Sequence, residues 1–479
     1  MRIIGNDPSV PRQTHEVASG TLPNGKPVVV NADGTVSVVS GSSASLGSEA
    51  VFESASVTYT NATFDSNSNK VVVAYGDNDN SYSGTAVVGT VSGSSITFGT
   101  PVVYNSGESA WTSIAFDSNS NKVVIAYTDE GNSGYGTAIV GTVSGTSISF
   151  GSEAVFNSNR SRRMDMCFDT NSNKIVIAFG DQPSGEDGYG IVGTISGTSI
   201  SFGSRQVYHS TQVEYPAIAF DSNSNKVVIA FSAYSPDQMN AVVGTVSGTS
   251  ISFGSTVSIL SGTYGIHNGA TFDSNSNKVV ITFRHQGSSS HGTAVVGTVS
   301  GTSISFGSAV VFNAATTNYP APQFDSNSNK VVVSYLNSDT NVASVVAGTV
   351  SGTSISFGSA TAFNTGTTNY IKNTFDSNSN KVVTVYRDNG NSNYGTAIAF
   401  APDSTTLTSE NYIGISRSGA ASGAGAIIDT QGAIADNLSG LTAGQSYFVQ
   451  TDGTLGTTAA DPSVFAGTAV SATKLIVKG

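Results

Sequence analysis

The chain has 479 residues, a formal net charge of −12 and only 11% charged residues, where an average globular domain has roughly 25%. Hydrophobic residues at 38% with 53 glycines describe short β elements between polar turns and exclude long amphipathic helices. The acidic balance excludes a basic stripe along nucleic-acid phosphates, and no apolar run approaches the ~18 residues of a membrane-inserted span.

Residues 1–34 read as an arm. Its start, MRIIGNDPSVPRQTH, has no apolar run of the kind a secretory signal needs, so export by that route is not expected. Before Gly20 the arm is polar and is expected to order on a partner. After it, PVVVNADGTVSVV reads as a hairpin with NADG at the turn. The single cysteine, Cys167, rules out an intramolecular disulfide.

From residue 35 to 402 the chain repeats itself. FDSNSNK or a near variant begins at Phe64, Phe116, Phe168, Phe220, Phe272, Phe324 and Phe375, about 52 residues apart. SGTSISFG and its variants place a glycine at Gly41, Gly93, Gly145, Gly197, Gly248, Gly301 and Gly352. Such a period marks solenoids, propellers or arrays. Within one unit KVVIAY, GTAIVGTV, TSISFGSEAVF and MCFDTNSN read as four antiparallel strands joined by loops too short for a crossover helix. The array begins with the third and fourth strands of a unit and ends after the first two, so the ends complement each other. The expected architecture is an all-β, seven-bladed β-propeller of four-stranded antiparallel blades, closed by pairing residues near Ser43 to Thr63 with Lys381 to Pro402. An open β-solenoid is the competing reading, but its terminal units are expected to be atypical caps.

The loops are unequal. DSNSNK and the SG turn are nearly constant, whereas the loops between strands one and two and between strands three and four differ in every unit, and the meander brings these two to one rim. Two readings stay open. One is a diversified recognition face; the other is that the constant loops are tight turns that need their chemistry while the longer ones vary freely. Aromatic residues recur on the variable rim: Tyr59, Tyr82, Trp111, Tyr135, Tyr189, Tyr215, Tyr234, Tyr264, Tyr319, Tyr370 and Tyr394. Large rigid rings among Asn, Ser and Gly are the composition of a binding surface, suited to stacking on sugars; packing beneath their own loops is the competing role for any one of them.

Arg160, Arg162 and Arg163 form the one basic concentration, expected either to grip an anionic sugar or phosphate or to be a solvated loop offsetting the acidic chain. His267 joins the same candidate rim. With His285 and His291 it gives a weak hint of a metal site, but no HxH or HxxxH spacing is present. The DSNSN pattern resembles the opening of a calcium loop, yet Lys70 stands where such loops place Gly, and an Asx-type turn is preferred. No GxSxG, no Cys–His pair and no recurring carboxylate pair appears, and the arginines are read as sitting in one loop. No catalytic residue, cofactor or metal is expected, and the chain is not expected to be an enzyme.

Residues 403–479 lack the repeat and read as a separate small β domain, one that oligomerisation or docking is expected to help stabilise. FDSNSNKVVIAY with GTAIVGTVSGTSISFGS, the opening IIGNDPSVPRQ and the closing ENYIGIS with GLTAGQSYFVQTDGTL resemble virion proteins of marine bacteriophages, cyanophages included, of tail-fibre, spike or capsid-decorating type. That resemblance covers essentially the whole chain. It implies a virion component, assembled in the host cytoplasm and released by lysis, that contacts other virion proteins through the N-terminal arm or the C-terminal domain. The propeller is then a host-facing display that attaches to surface glycan, or a purely structural decoration or tail-assembly element that binds no receptor.

Overall fold

The computed structural model describes residues 12–182, 185–234, 236–460 and 462–478. The chain is all-β: among the described residues the only helical turns are short 3-10 segments such as Asn78–Asn80 and Glu130–Asn132. No helix there is long and apolar enough to cross a membrane. Two compact units emerge, one of residues 45–402 and one that joins 1–44 to 403–479.

In the larger unit each repeat builds the same sheet. Residues 109–117 pair with Lys122–Asp129, which pairs with Tyr135–Ser144, which pairs with both Ser147–Phe150 and the first residues of Ala154–Asp169. The third and fourth strands expected from sequence, with a loop between them, are instead one continuous strand in five of the seven units, and in the other two a break falls at residues 262–264 and 365–367. Val102–Asp117 is one 16-residue strand. Its first part pairs with Ser83–Ser92 of one sheet and its second part with Lys122–Asp129 of the next. Residues such as Trp111 are therefore on a strand and not in a loop.

The run KVVIAY is apolar without alternation because both of its faces are covered. Val123, Ile125 and Tyr127 pack with Val72, Ala74 and Val88 of the preceding sheet. Val124 and Ala126 pack with Ile175, Ile177 and Phe179 of the following one. The last sheet meets the first in the same way: Val383, Val385, Ala397 and Ala399 share a core with Val71, Val73, Tyr75 and Val87. The ends pair where the sequence places them, with Ala50↔Ala397, Val51↔Thr396 and Leu46↔Phe400 tying the start of the array to Tyr394–Ala401. Each strand leading into FDSNSNK also lies beside its counterpart in the next unit, and Thr368–Asp376 lies beside Ala50–Asp65.

The constant rim has local causes. In all seven turns the Asp carboxylate accepts two backbone N–H groups, as Asp65 does from Asn67 (2.9 Å) and Ser68 (3.1 Å). The final Asn of each adopts a left-handed backbone, φ 54–56°, which Asn tolerates better than most residues. This is an Asx turn. The SFG glycine is fixed by crowding: a Cβ on Gly151 lies 1.9 Å from the Thr198 carbonyl oxygen of the next unit, and Gly99, Gly203, Gly254 and Gly307 repeat that approach. Uniformity on this rim thus follows from turn chemistry and packing, and the variable rim has to be judged by what its side chains build.

The smaller unit replaces two expected segments by one body. Pro27–Val30 pairs with Val36–Val38 around the NADG turn and also with Tyr412–Ser416. Gln13–Val17, expected to order on a partner, pairs with Gly425–Asp429 of its own chain. The boundaries at 34 and 403 thus give way to a unit that draws on both ends, with a shared core around Val29, Tyr412, Ile415, Tyr447 and Val449. The IIGNDPSV part of the arm lies outside the described residues.

Candidate functional site

A β-bulge recurs where each inner strand reaches the variable rim. Pairing skips between Thr58 and Asn61, between Ala110 and Ser113, and at the equivalent place in the other five units. The first skipped residue in each is Tyr59, Trp111, Arg163, Tyr215, His267, Tyr319 and Tyr370, and all seven have left-handed φ values of 48–54°. A bulge bends its strand and re-aims the side chain. Holding bulky residues at such φ values costs of order 1 kcal/mol each, so the surrounding pairing has to over-determine it.

All seven side chains line one cavity of about 570 Å³, bounded by the inner strands of all seven units. Their rings touch in sequence. Tyr370 and Trp111 each lie 5.2 Å from Tyr59, Tyr319 lies 5.8 Å from Tyr370, and His267 stacks on Tyr319 at 4.2 Å and 23°. Tyr215 meets His267 edge-on at 5.1 Å. Between Trp111 and Tyr215 the circle runs through Arg163, whose guanidinium lies 5.8 Å from the Trp111 ring and bonds Glu214, the residue before Tyr215, at 2.5 Å. Below the circle, side chains stitch neighbouring inner strands: Asn268 Nδ2 donates to the Tyr215 carbonyl (3.0 Å), Asn373 Nδ2 to the Ala321 carbonyl (2.7 Å), and Asp165 accepts from Ser113 Oγ (3.1 Å).

The fifteen sequence candidates divide here. The seven just named form the mouth of the cavity. Tyr82, Tyr135, Tyr189, Tyr234 and Tyr394 stand at the first-to-second hairpins and Tyr264 between Val257–Ser261 and Gly265–Asp273, all outside the lining of that cavity. Tyr189 is committed to its own sheet, with Phe179 at 6.0 Å and the Arg205 guanidinium 4.2 Å over its ring, and Tyr234 packs on Tyr264 at 4.7 Å. Arg160 is paired with Glu130, and Arg162 with Glu186 at 3.5 Å. The basic concentration around residue 160 thus lies on the strand Ala154–Asp169 and not in a solvated loop, and the chain's own carboxylates pair with it. His285 faces His291 across a hairpin, and no group of three metal-ligating side chains exists among the described residues.

Separating the seven from the eight needed one more signal: each ring residue stands five positions before the Phe of FDSNSNK. That offset, read with an inner-strand bulge, isolates the site.

Burial sets the protonation of the mouth. His267, between two aromatic rings, is held at about 3 against an ordinary 6.5, first by desolvation and then by Arg284 and Lys372. Burial also raises Tyr319 to about 12 and raises Tyr59 and Tyr215. His267, Tyr319, Tyr59 and Tyr215 are thus held neutral. Because folded His267 stays unprotonated where the unfolded chain takes up a proton, the stability tied to it is whole above pH 6.5 and declines as pH falls towards 3. A His267→Tyr variant is expected to lose less thermal stability than the native chain between about pH 7 and about pH 4.5. Melting curves at the two pH values check this, and equal losses contradict it.

No family model and no curated protein matches the sequence. Solved structures do resemble it at low identity. A protein of unknown function from Dyadobacter fermentans is 12% identical with a TM-score of 0.46, over 76% of this chain and 99% of that one. A mutant of AofleA from Arthrobotrys oligospora is 9% identical, TM-score 0.39, over 58% and 78%. Trypanosoma rangeli sialidase is 11% identical, TM-score 0.40, over 81% of this chain and 58% of that one. The expectation that this chain is not an enzyme is withdrawn, because its premise that the arginines sit in one loop does not hold: Arg284, bonded to Asn318, and Arg387, over the Tyr370 ring, stand in two further units.

Proposed function

We propose that the chain is a surface component of a bacteriophage particle, and that residues 45–402 form a seven-bladed β-propeller attaching the particle to host-surface glycan at the mouth of its central cavity. The propeller reading is supported by the sevenfold repeat of one pairing pattern, by inner strands that neighbour one another through to the first, and by the pairing of Tyr394–Ala401 with the start of the array. The virion reading is supported by the resemblance of the repeat, the opening and the closing motifs to phage proteins. The smaller unit, which draws on both termini, is the part assigned to other virion proteins.

The observation that carries attachment is the ring itself. Seven equivalent strained positions present six aromatic rings and one guanidinium around one cavity. Flat faces with hydroxyl and amide groups below suit a sugar ring, whose C–H face stacks while its hydroxyls take hydrogen bonds. Many copies per particle make weak single sites sufficient, since multivalency raises overall binding roughly 100- to 10,000-fold.

Imaging purified particles by cryo-electron microscopy tests this reading. The mouth and its flanking hairpins are expected to face solvent on a tail or capsid projection. A mouth packed against other virion proteins contradicts attachment and leaves a decoration or assembly role.

A further inference from the structure

The charges around the mouth are unevenly compensated. Arg160, Arg162, Arg163 and Arg205 all have carboxylate partners. Arg284, Lys372 and Arg387, on the other side of the ring, have no carboxylate within ion-pair distance among the described residues, although the whole chain carries 32 acidic residues against 20 basic.

Their placement is specific. Within residues 45–402, Lys372 is the one lysine outside the seven FDSNSNK-type turns. It stands two residues after Tyr370 and lines the cavity. Arg284 and Arg387 occupy equivalent positions near the ends of Lys278–His285 and Lys381–Asp388. Arg387 lies 5.0 Å over the Tyr370 ring, and Arg284 is held at 2.5 Å by Asn318, the residue before Tyr319. The Arg284 Nε is buried without a hydrogen-bond partner. Both arginines act electrostatically on Tyr319, and Arg284 and Lys372 both act on His267. Three cations thus surround two adjacent aromatic faces, and half-buried cations with no counter-ion raise the local affinity for an anion.

We infer that this sector binds the anionic group of an acidic saccharide, a uronate carboxylate or a sulfate ester, with the sugar ring stacked on Tyr319 or Tyr370. Planar guanidinium groups suit both anions through paired N–H donors, and the ammonium of Lys372 adds a point charge from the cavity wall. The inference rests on the saccharide-binding reading above and names its ligand class.

Titration calorimetry on the full chain tests it with four probes: a trigalacturonate, a sulfated trisaccharide, a neutral trisaccharide of matching linkage, and inorganic sulfate. At low salt at least one acidic sugar is expected to bind about tenfold more tightly than the neutral one, and the stronger of the two identifies the anion. In Lys372→Met with Arg387→Gln the ratio of acidic to neutral affinity is expected to fall to about one. The same comparison in Arg284→Gln covers the case in which the double variant melts early. Equal binding of acidic and neutral sugars, or an acidic preference that survives these substitutions, overturns this inference and leaves the saccharide reading intact. Inorganic sulfate binding as tightly as the sulfated sugar shows a plain anion site and overturns it too. Failure of all three sugars to bind overturns both readings.

Discussion

Trp111→Ala is expected to weaken saccharide binding about 30-fold while leaving the fold in place. A truncated aromatic anchor at the centre of a binding patch typically costs about 2 kcal/mol or more, and Trp111 joins two members of the ring, with Tyr59 at 5.2 Å and the Arg163 guanidinium at 5.8 Å. It is half-buried at the mouth and packs on the edge of the core around Ile175 and Phe179, so Trp111→Phe, which keeps a ring there, separates lost binding from lost packing. Tyr82→Ala is the matching control: that ring is 47% exposed on a hairpin outside the cavity lining, and its loss is expected to leave affinity unchanged. Calorimetry on these chains checks the pair, and equal losses from Trp111→Ala and Tyr82→Ala contradict a binding role confined to the ring.

Gly151→Ala is expected to produce a large loss of stability, as at the equivalent Gly99, Gly203, Gly254 and Gly307. Its Cβ falls 1.9 Å from the Thr198 carbonyl oxygen and 2.9 Å from the carbonyl carbon, both backbone atoms of a tight turn. No rotamer relieves such a clash, so one unit has to move against the next. Overpacking of this kind costs about 3 kcal/mol, the upper part of its usual range. Gly145→Ala in the adjacent turn probes a different mechanism, since space there is open but φ is +62°. It is expected to cost about 1 kcal/mol from backbone strain alone. Denaturant melts of the two variants rank these effects, and a smaller loss at Gly151 contradicts the close approach between units.

Most of the larger unit was legible because its physics is periodic. The apolar runs, the Asx turns and the complementary ends each recur at one spacing, and repetition separates signal from accident. The third-to-fourth connections were not legible as strand. NSGESAWTS is polar and varied, and nothing local shows that its residues pair first with one sheet and then with the next. For the same reason Arg163 and His267 went unrecognised as members of one circle with Trp111 and the tyrosines, since chemistry differs at that position while backbone geometry is shared. The pairing of Gln13–Val17 with Gly425–Asp429 links residues some 400 positions apart, and so few contacts leave no periodic trace for a single sequence to reveal.

The account turns on whether a saccharide enters the ring, and the chain supplies its own probe, because Trp111 is its only tryptophan. Titrating neutral and acidic oligosaccharides against the intrinsic tryptophan emission of the full chain tests this most directly. A saturable change in Trp111 emission, absent in Trp111→Phe and tracking the calorimetric affinity, is the predicted result. Saccharide binding by calorimetry with unaltered Trp111 emission contradicts the ring as the site.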